Sequence, residues 1–184
     1  MRKLVVSEWM TLDGVFDADT MERWFTPYQT EARATHIKQV IAACDALLFG
    51  RTTYEMLAPY WSAQQNDENG PAAKLNSVSK YVVSSKMQKA DWNNSTIISK
   101  DVVKEIARLK HQPGSDIVVL GSAVLVQSLK DTDLIDEYRL LVHPIVLGSG
   151  KRFFNQEKVP KKLVLLEAKT IEKGVIALHY ATTK

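Results

Sequence analysis

The sequence predicts an α/β fold: a mixed, mostly parallel central sheet flanked by helices, with antiparallel strands added at the C-terminal end. Three observations predict it. Strand-like and helix-like segments alternate as far as Leu129. Ile117–Leu120 is apolar without alternation, the pattern of a parallel strand covered on both faces. The last third then holds strand-like runs with no helix between them, at Glu137–Leu147, Leu163–Ile171 and Val175–Thr182. No repeat, low-complexity segment or linker divides the chain, so residues 1–184 read as one domain with a single large core.

Lys3–Leu12 reads as the first strand, with Leu4, Val5 and Val6 at its apolar centre. Thr11-Leu12-Asp13-Gly14 ends it in a turn. Val15–Phe25 reads as an irregular binding loop holding Asp17, Asp19, Trp24 and Phe25. Thr26-Pro27 offers a cap and a proline at the first helical position. Ala34, Ile37, Ile41 and Cys44 recur at helical spacing behind it, and Asp45 ends that helix. Ala46–Phe49 is a buried strand that hands over at Gly50 to a helix of about Thr52–Ala58. Thr52 and Glu55 fit a capping box there. Pro59 and the polar segment Ser62–Pro71 read as surface loop. Lys80–Ser85 and Thr96–Ser99 are strands. Asp101–His111 is an amphipathic helix with Val102, Val103, Ile106 and Leu109 on one face. Gly121-Ser122 breaks the strand Ile117–Leu120, and Ala123–Leu129 is apolar nearly all round, as a buried helix would be. Glu172-Lys173-Gly174 is a hairpin-type turn.

Composition narrows the function classes. Hydrophobic residues at 45% and charged residues at 24% suit a soluble globular protein. The formal charge of +3 comes from scattered Lys and Arg, which does not argue for nucleic acid and is compatible with anionic small ligands. Cys44 is the only cysteine, so no internal disulfide forms, and no Cys/His cluster suggests a metal site. No signal-peptide pattern or membrane-length apolar run is present, and the expected location is cytoplasmic.

Ligands of open α/β sheets bind beyond the carboxyl ends of the parallel strands. Three such ends carry suitable residues: Gly50-Arg51-Thr52-Thr53, Ser84-Ser85-Lys86, and Gly121-Ser122-Ala123-Val124 with Ser122 as the cap of a helix. Each alone is also an ordinary turn, strand end or capped helix. Together they offer two helix N-termini and two cations on one rim, which suits a ligand with several phosphates. Neither a Walker pattern nor Gly-x-Gly-x-x-Gly is present. Trp9, Trp24 and Tyr28 either stack on a flat substrate ring or pack in the core. His36, His111, His143 and His179 lack metal-ligand spacing, and His143-Pro144 marks an edge or bulge. Gly148-Ser149-Gly150-Lys151-Arg152 is a turn with solvated charges or a site for a substrate phosphate.

Gly50-Arg51-Thr52-Thr53-Tyr54-Glu55 resembles the Gly-Arg-x-Thr-aromatic-Glu motif of the dihydrofolate reductase superfamily. Leu12-Asp13-Gly14 is similar to the Ser-x-Asp-Gly motif of its riboflavin-biosynthesis reductase branch, as are Leu134-Ile135-Asp136-Glu137 and Pro144-Ile145-Val146-Leu147-Gly148. The resemblance runs from about residue 2 to 182 and implies a dihydrofolate-reductase-like fold and NADPH as cofactor. It implies that Arg51 faces the 2′-phosphate with Ser84, Ser85 and Lys86, and that Thr52 and Thr53 face the pyrophosphate. Gly121, Ser122, Ala123 and Val124 would hold the pyrophosphate from the other side, Ser122 standing where many relatives have a second glycine. The first strand and the loop after Asp13 would line the nicotinamide. The pterin-binding acid of folate reductases falls near Ala34, which argues against folate. The riboflavin branch implies reduction of a ribosylaminopyrimidine phosphate, with Asp13 as candidate substrate contact or proton relay, or else as the cap of a tight turn with Gly14. The zinc-deaminase patterns of bifunctional relatives are absent, so a stand-alone reductase is expected. Family analogy implies a homodimer formed through the C-terminal third. A nucleotide-binding sensor or scaffold without turnover is the alternative from another class.

Overall fold

The computed structural model describes residues 1–64, 71–154 and 160–183. One eight-stranded sheet runs through it in the order β4-β3-β2-β5-β1-β6-β8-β7. The strands are β1 (Leu4–Thr11), β2 (Cys44–Gly50), β3 (Ser79–Val83), β4 (Ser95–Ile98), β5 (Asp116–Leu120), β6 (Glu137–His143), β7 (Leu163–Thr170) and β8 (Ile176–Thr182). From β4 to β6 every neighbouring pair is parallel, and β8 and β7 add an antiparallel edge. The α/β architecture read from the sequence is therefore the observed one.

Two helical layers cover the parallel half. On one face lie α2 (Glu31–Ala42), α3 (Arg51–Ala63) and α4 (Pro71–Ser77), packed on Val5, Leu47, Phe49, Val82 and Val118. On the other lie α5 (Val102–His111) and α6 (Ala123–Leu129), packed on Leu4, Val6, Leu48, Ile117 and Val119. Adjacent residues of a strand point to opposite faces, which is why Val5 joins one cluster and Leu4 and Val6 the other. A short helix, α1 (Met21–Trp24), precedes α2. Among the described residues no helix is long and apolar enough to cross a membrane, and no His, Cys, Asp or Glu group could hold a metal ion.

Several local expectations are corrected. Thr26–Tyr28 is a single 3-10 turn, and α2 starts later, where the Thr30 hydroxyl accepts the Arg33 N–H at 3.2 Å. Cys44 and Asp45 belong to β2 rather than to a helix, because Cys44 fills the core and the Asp45 carboxylate takes the Ser115 N–H. The loop Val15–Phe25 contains a 3-10 turn and α1. Helix α3 continues through Pro59, whose missing N–H falls on an exposed face of the helix. Most of the segment expected as loop from Ser62 to Pro71 lies outside the described residues, and α4 follows it, too short to carry a period. Strand β6 stops at His143, since Pro144 cannot donate to a ladder. Val103 and Val124, expected in apolar faces, are 47% and 82% exposed.

Outside the sheet ladder, Asp136 is the tie that sets the start of β1. Its Oδ2 accepts the Leu4 N–H at 2.8 Å and the Lys110 ammonium of α5 at 2.5 Å. The Lys110 side chain is only 3% exposed, so removing the carboxylate strands a buried cation. Asp136→Ala should cost about 3–5 kcal/mol in denaturant unfolding. Adding Lys110→Met should recover part of that loss, and an unchanged midpoint in Asp136→Ala would contradict the assignment.

Candidate cofactor and substrate site

The strand order builds the rim. Strand β5 enters the sheet between β2 and β1, so the strand ends at Gly50 and Leu120 are neighbours level with Ser7 of β1, and β1 runs on past them to Thr11 beside His143. Gly50 pairs with Val83, which sends Arg51 and Ser84 off neighbouring strands together. The three phosphate-suited ends expected from sequence are thus brought to one edge.

The β2–α3 and β5–α6 junctions are locked to each other. Ser122 Oγ accepts the Gly50 N–H at 2.7 Å and donates to Thr53 Oγ1 at 2.9 Å. A Cβ on Gly50 would lie 2.7 Å from Ser122 Oγ, and one on Gly121 would lie 2.6 Å from Thr53 Cγ2. Gly121 and Ser122 both have positive φ, +66° and +70°, a cost for the serine that its two hydrogen bonds offset. Two expectations fail here. Ser122 does not cap α6; its hydroxyl is spent across the junction. Thr52 and Glu55 form no capping box, because Gly50 is the cap residue and Glu55 pairs with Arg51 at 3.0 Å along the helix. The first turn of α3 therefore keeps N–H groups without a side-chain partner, a ready anion site on a thirteen-residue helix. Arg51, Thr52, Ser85 and Lys86 are exposed around it and Thr53 is half-buried. Ser84 is buried, and its hydroxyl accepts the Lys86 and Met87 N–H groups at 3.2 and 3.0 Å, so it shapes this corner. Ala123 is half-buried at the start of α6, and Val124 faces solvent.

Asp13 is held in a turn. Its carboxylate accepts the Thr11 hydroxyl at 2.6 Å and the N–H groups of Leu147 and Gly148 at 3.3 and 2.9 Å. The Thr11 hydrogen bond, with those N–H groups, brings its pKa down to about 2. It is ionised at neutral pH, which suits a contact and not a proton donor. Arg152 adds a hydrogen bond to the Asp13 carbonyl, and Lys151 lies 3.4 and 3.3 Å from Asp17 and Asp19. The cations of Gly148–Arg152 thus already answer local acids.

The face of β1 toward α2 carries an aromatic wall. Trp9 stacks on Phe25, ring centroids 4.6 Å apart, and stays partly exposed. The Tyr28 hydroxyl reaches the Pro144 carbonyl at 3.3 Å. Trp24 is 2% exposed with its indole N–H on the Asp17 carbonyl, so it packs and presents no free face to a ring. At the centre sits His143, fully buried against Trp24, Phe25 and Tyr28. Its Nδ1 donates to the Met10 carbonyl at 3.1 Å and its Nε2 accepts from Arg33 at 3.3 Å, which fixes the neutral ring. Arg33 also stacks over Phe25 at 3.8 Å. Sequence reading missed this group; Arg33 and His143 are far apart in the chain and neither spacing nor period links them. It also missed Glu8, an acid inside a mostly apolar, buried strand and therefore a visible signal.

An open groove of about 290 Å³ lies elsewhere, between α2 and the antiparallel edge, lined by His36, Arg139, Glu167, Lys169 and His179 among others. Its charges are mixed and no parallel strand ends in it.

These features define a dihydrofolate-reductase-like α/β domain with a phosphate-suited rim. The chain belongs to the RibD C-terminal domain family, whose model matches residues 2–177. It is 29% identical over 181 residues to the uncharacterized protein YyaP of Bacillus subtilis (strain 168), covering 97% of this chain and 94% of that one. A putative riboflavin biosynthesis protein from Shewanella sp. PV-4 shares the fold, with TM-score 0.76, 19% identity and 99% of each chain covered. So does dihydrofolate reductase from Enterococcus faecalis, solved with NADP(H), with TM-score 0.65, 13% identity, and 99% of this chain and 97% of that one covered.

Burial is the main cause that pulls the His143 pKa down to about 4. The unfolded ring protonates near 6.5, so unfolding takes up a proton between these values. Stability is full above about pH 6.5 and should fall as the pH drops toward about 4. Thermal melts of wild type and His143→Gln should diverge in slope across that window; parallel curves would contradict the buried neutral ring.

Proposed function

We propose that this protein is an NADPH-dependent reductase of a small phosphorylated heterocycle, with 5-amino-6-(5-phosphoribosylamino)uracil as the first candidate substrate. The observation that carries this reading is the interlocked pair of junctions Gly50–Thr53 and Gly121–Ser122, with a helix start that has no side-chain cap and exposed Arg51 and Lys86 beside it. Membership of the RibD C-terminal domain family supports it. When bound, NADPH supplies the hydride. The chain's own groups hold and orient it. Arg51, Ser85 and Lys86 take the 2′-phosphate, with Ser84 shaping their turn. Thr52, Thr53 and the backbone at Gly121, Ser122, Ala123 and Val124 take the pyrophosphate, and β1 with the turn at Asp13 lines the nicotinamide. The substrate ring lies against Trp9 and Tyr28, with Asp13 contacting it as an ionised acceptor. Folate is the weaker substrate reading, since Ala34 and Glu31 are both exposed on α2 and the buried side chains of that helix are Arg33, Val40 and Ile41.

A second reading is an NADP-binding module without turnover. It is favoured by Asp13, whose low pKa and three hydrogen bonds remove it as an acid. Reduction of the uracil phosphate by the purified protein decides between the two.

A homodimer through the antiparallel edge belongs to the same proposal. Val164, Leu165 and Leu166 on β7 are each about half exposed, at 50%, 52% and 52%. A monomer mass in solution at micromolar concentration would remove it.

Arg51→Ala should weaken NADPH by roughly tenfold to a hundredfold, the worth of a charge-assisted hydrogen bond, and leave NADH unchanged. Loss of the exposed pair with Glu55 should move stability by less than about 0.5 kcal/mol. Calorimetric titration with both nucleotides checks this, and equal weakening of the two would remove Arg51 from the 2′-phosphate.

A further inference from the structure

Glu8 lies on β1, on the face shared with Val6 and Met10, which pack among aliphatic residues of α5 and α6. It is 2% exposed. Ser7 pairs with Leu120 and Glu8 with Leu140, so the carboxyl sits next to the turn at Gly121. The Gly121 N–H donates to it. The oxygen Oε1 has no hydrogen-bond partner. The elements packed on this face contribute Val119 and Gly121 from β5, Tyr138 and Leu140 from β6, and Leu125 and Val126 from α6. Tyr138, which pairs with Val6, is the titratable side chain among them, and no charge acts on Glu8 among the described residues.

An ionised carboxylate here would be a buried charge without a counter-ion, so the group is held as the neutral acid. Burial pushes its pKa well above the usual carboxylate range. A neutral carboxyl accepts through one oxygen and donates through the other. Gly121 satisfies the acceptor, and the donor is left over in an apolar layer, where an unmade hydrogen bond is costly. Leucine or methionine would fill similar volume without that cost. The same Gly121 packs against Thr53 and precedes Ser122, so the unused donor is joined directly to the locked rim.

We propose that Glu8 is a buried cofactor contact, which fixes Gly121 through one carboxyl oxygen and donates a hydrogen bond from the other to an oxygen of the bound dinucleotide. This rests on the reading of the rim as an NADPH site. A carboxylic acid shares a site with a pyrophosphate, whereas a carboxylate repels it. Cofactor binding is therefore linked to the Glu8 proton. As the pH rises through the Glu8 pKa, the donor is lost and a negative charge appears beneath the anion.

The test measures NADPH affinity by calorimetry from about pH 7 to about pH 10, above the titration of the 2′-phosphate, for wild type, Glu8→Gln and Glu8→Leu. Glutamine keeps the shape, an acceptor and a donor, and does not ionise. Wild-type affinity should fall by about tenfold or more over that range relative to Glu8→Gln, and Glu8→Leu should bind about tenfold more weakly at pH 7. Infrared difference spectra of wild type against Glu8→Gln, taken without cofactor, should show the carbonyl stretch of a protonated acid at pH 7. The same pH profile in wild type and Glu8→Gln, full affinity in Glu8→Leu, or no protonated-acid band would each overturn the inference. If Glu8→Leu does not fold, the pH profiles and the infrared band decide. Failure of the wild type to bind NADPH at any pH would overturn the cofactor reading and this inference with it, and is recognisable because it precedes any variant.

Discussion

The contact between the two strand–helix junctions is the constraint on which the rim depends. Gly50 and Gly121 have no room for a Cβ because Ser122 and Thr53 occupy that space. One hydroxyl, Ser122 Oγ, joins the Gly50 amide to the Thr53 hydroxyl. This joins β2 to β5 past the point where their ladder ends. It also fixes the start of α3, whose first N–H groups are left open while the strand end behind them is rigid. A serine at positive φ is an unfavourable local choice, and it persists because tertiary hydrogen bonds over-determine it.

A second hub holds the opposite side of the rim. His143 ends β6 and receives Arg33 from α2, while its other nitrogen holds β1 at Met10. Trp24, Phe25 and Tyr28 close around the ring, so the segment between β1 and α2 is packed into place. The Asp13 turn then ties the end of β1 to Leu147 and Gly148. Strands β1 and β6 and helix α2 therefore present the wall at Trp9 as a built surface. The neutral state of His143 follows first from its burial, and a charged ring beside Arg33 would add a buried pair of like charges.

The fold was legible because its signals were local. Unalternating Ile117–Leu120 marked a central parallel strand, and the helix-free last third marked the antiparallel edge. The strand ends at Gly50, Ser84 and Gly121 were legible as well, because each carries its own glycine or hydroxyl pattern. What stayed hidden was non-local. Thr52 and Glu55 have capping-box spacing, yet Glu55 turns to Arg51 and Gly50 serves as cap. Ser122 has the composition of a cap, and its hydroxyl is claimed by a residue 72 positions earlier. Arg33 meets His143 across 110 positions. For Trp24 the sequence left stacking and packing both open, because exposure cannot be read from an aromatic alone. Glu8 announced itself as an acid in a buried strand, but only the unpartnered oxygen gives that acid a use.

A phosphorylated nicotinamide cofactor bound at the β2–β5 edge would change the surroundings of the backbone amides there. A titration of isotopically labelled protein with NADPH, followed through backbone amide shifts, tests this. The largest shifts should fall on Gly50 to Thr53, Ser85 and Lys86, and Gly121 to Val124. Shifts confined to the groove between α2 and β7, around His36 and Lys169, or no shifts at saturating cofactor, would contradict it.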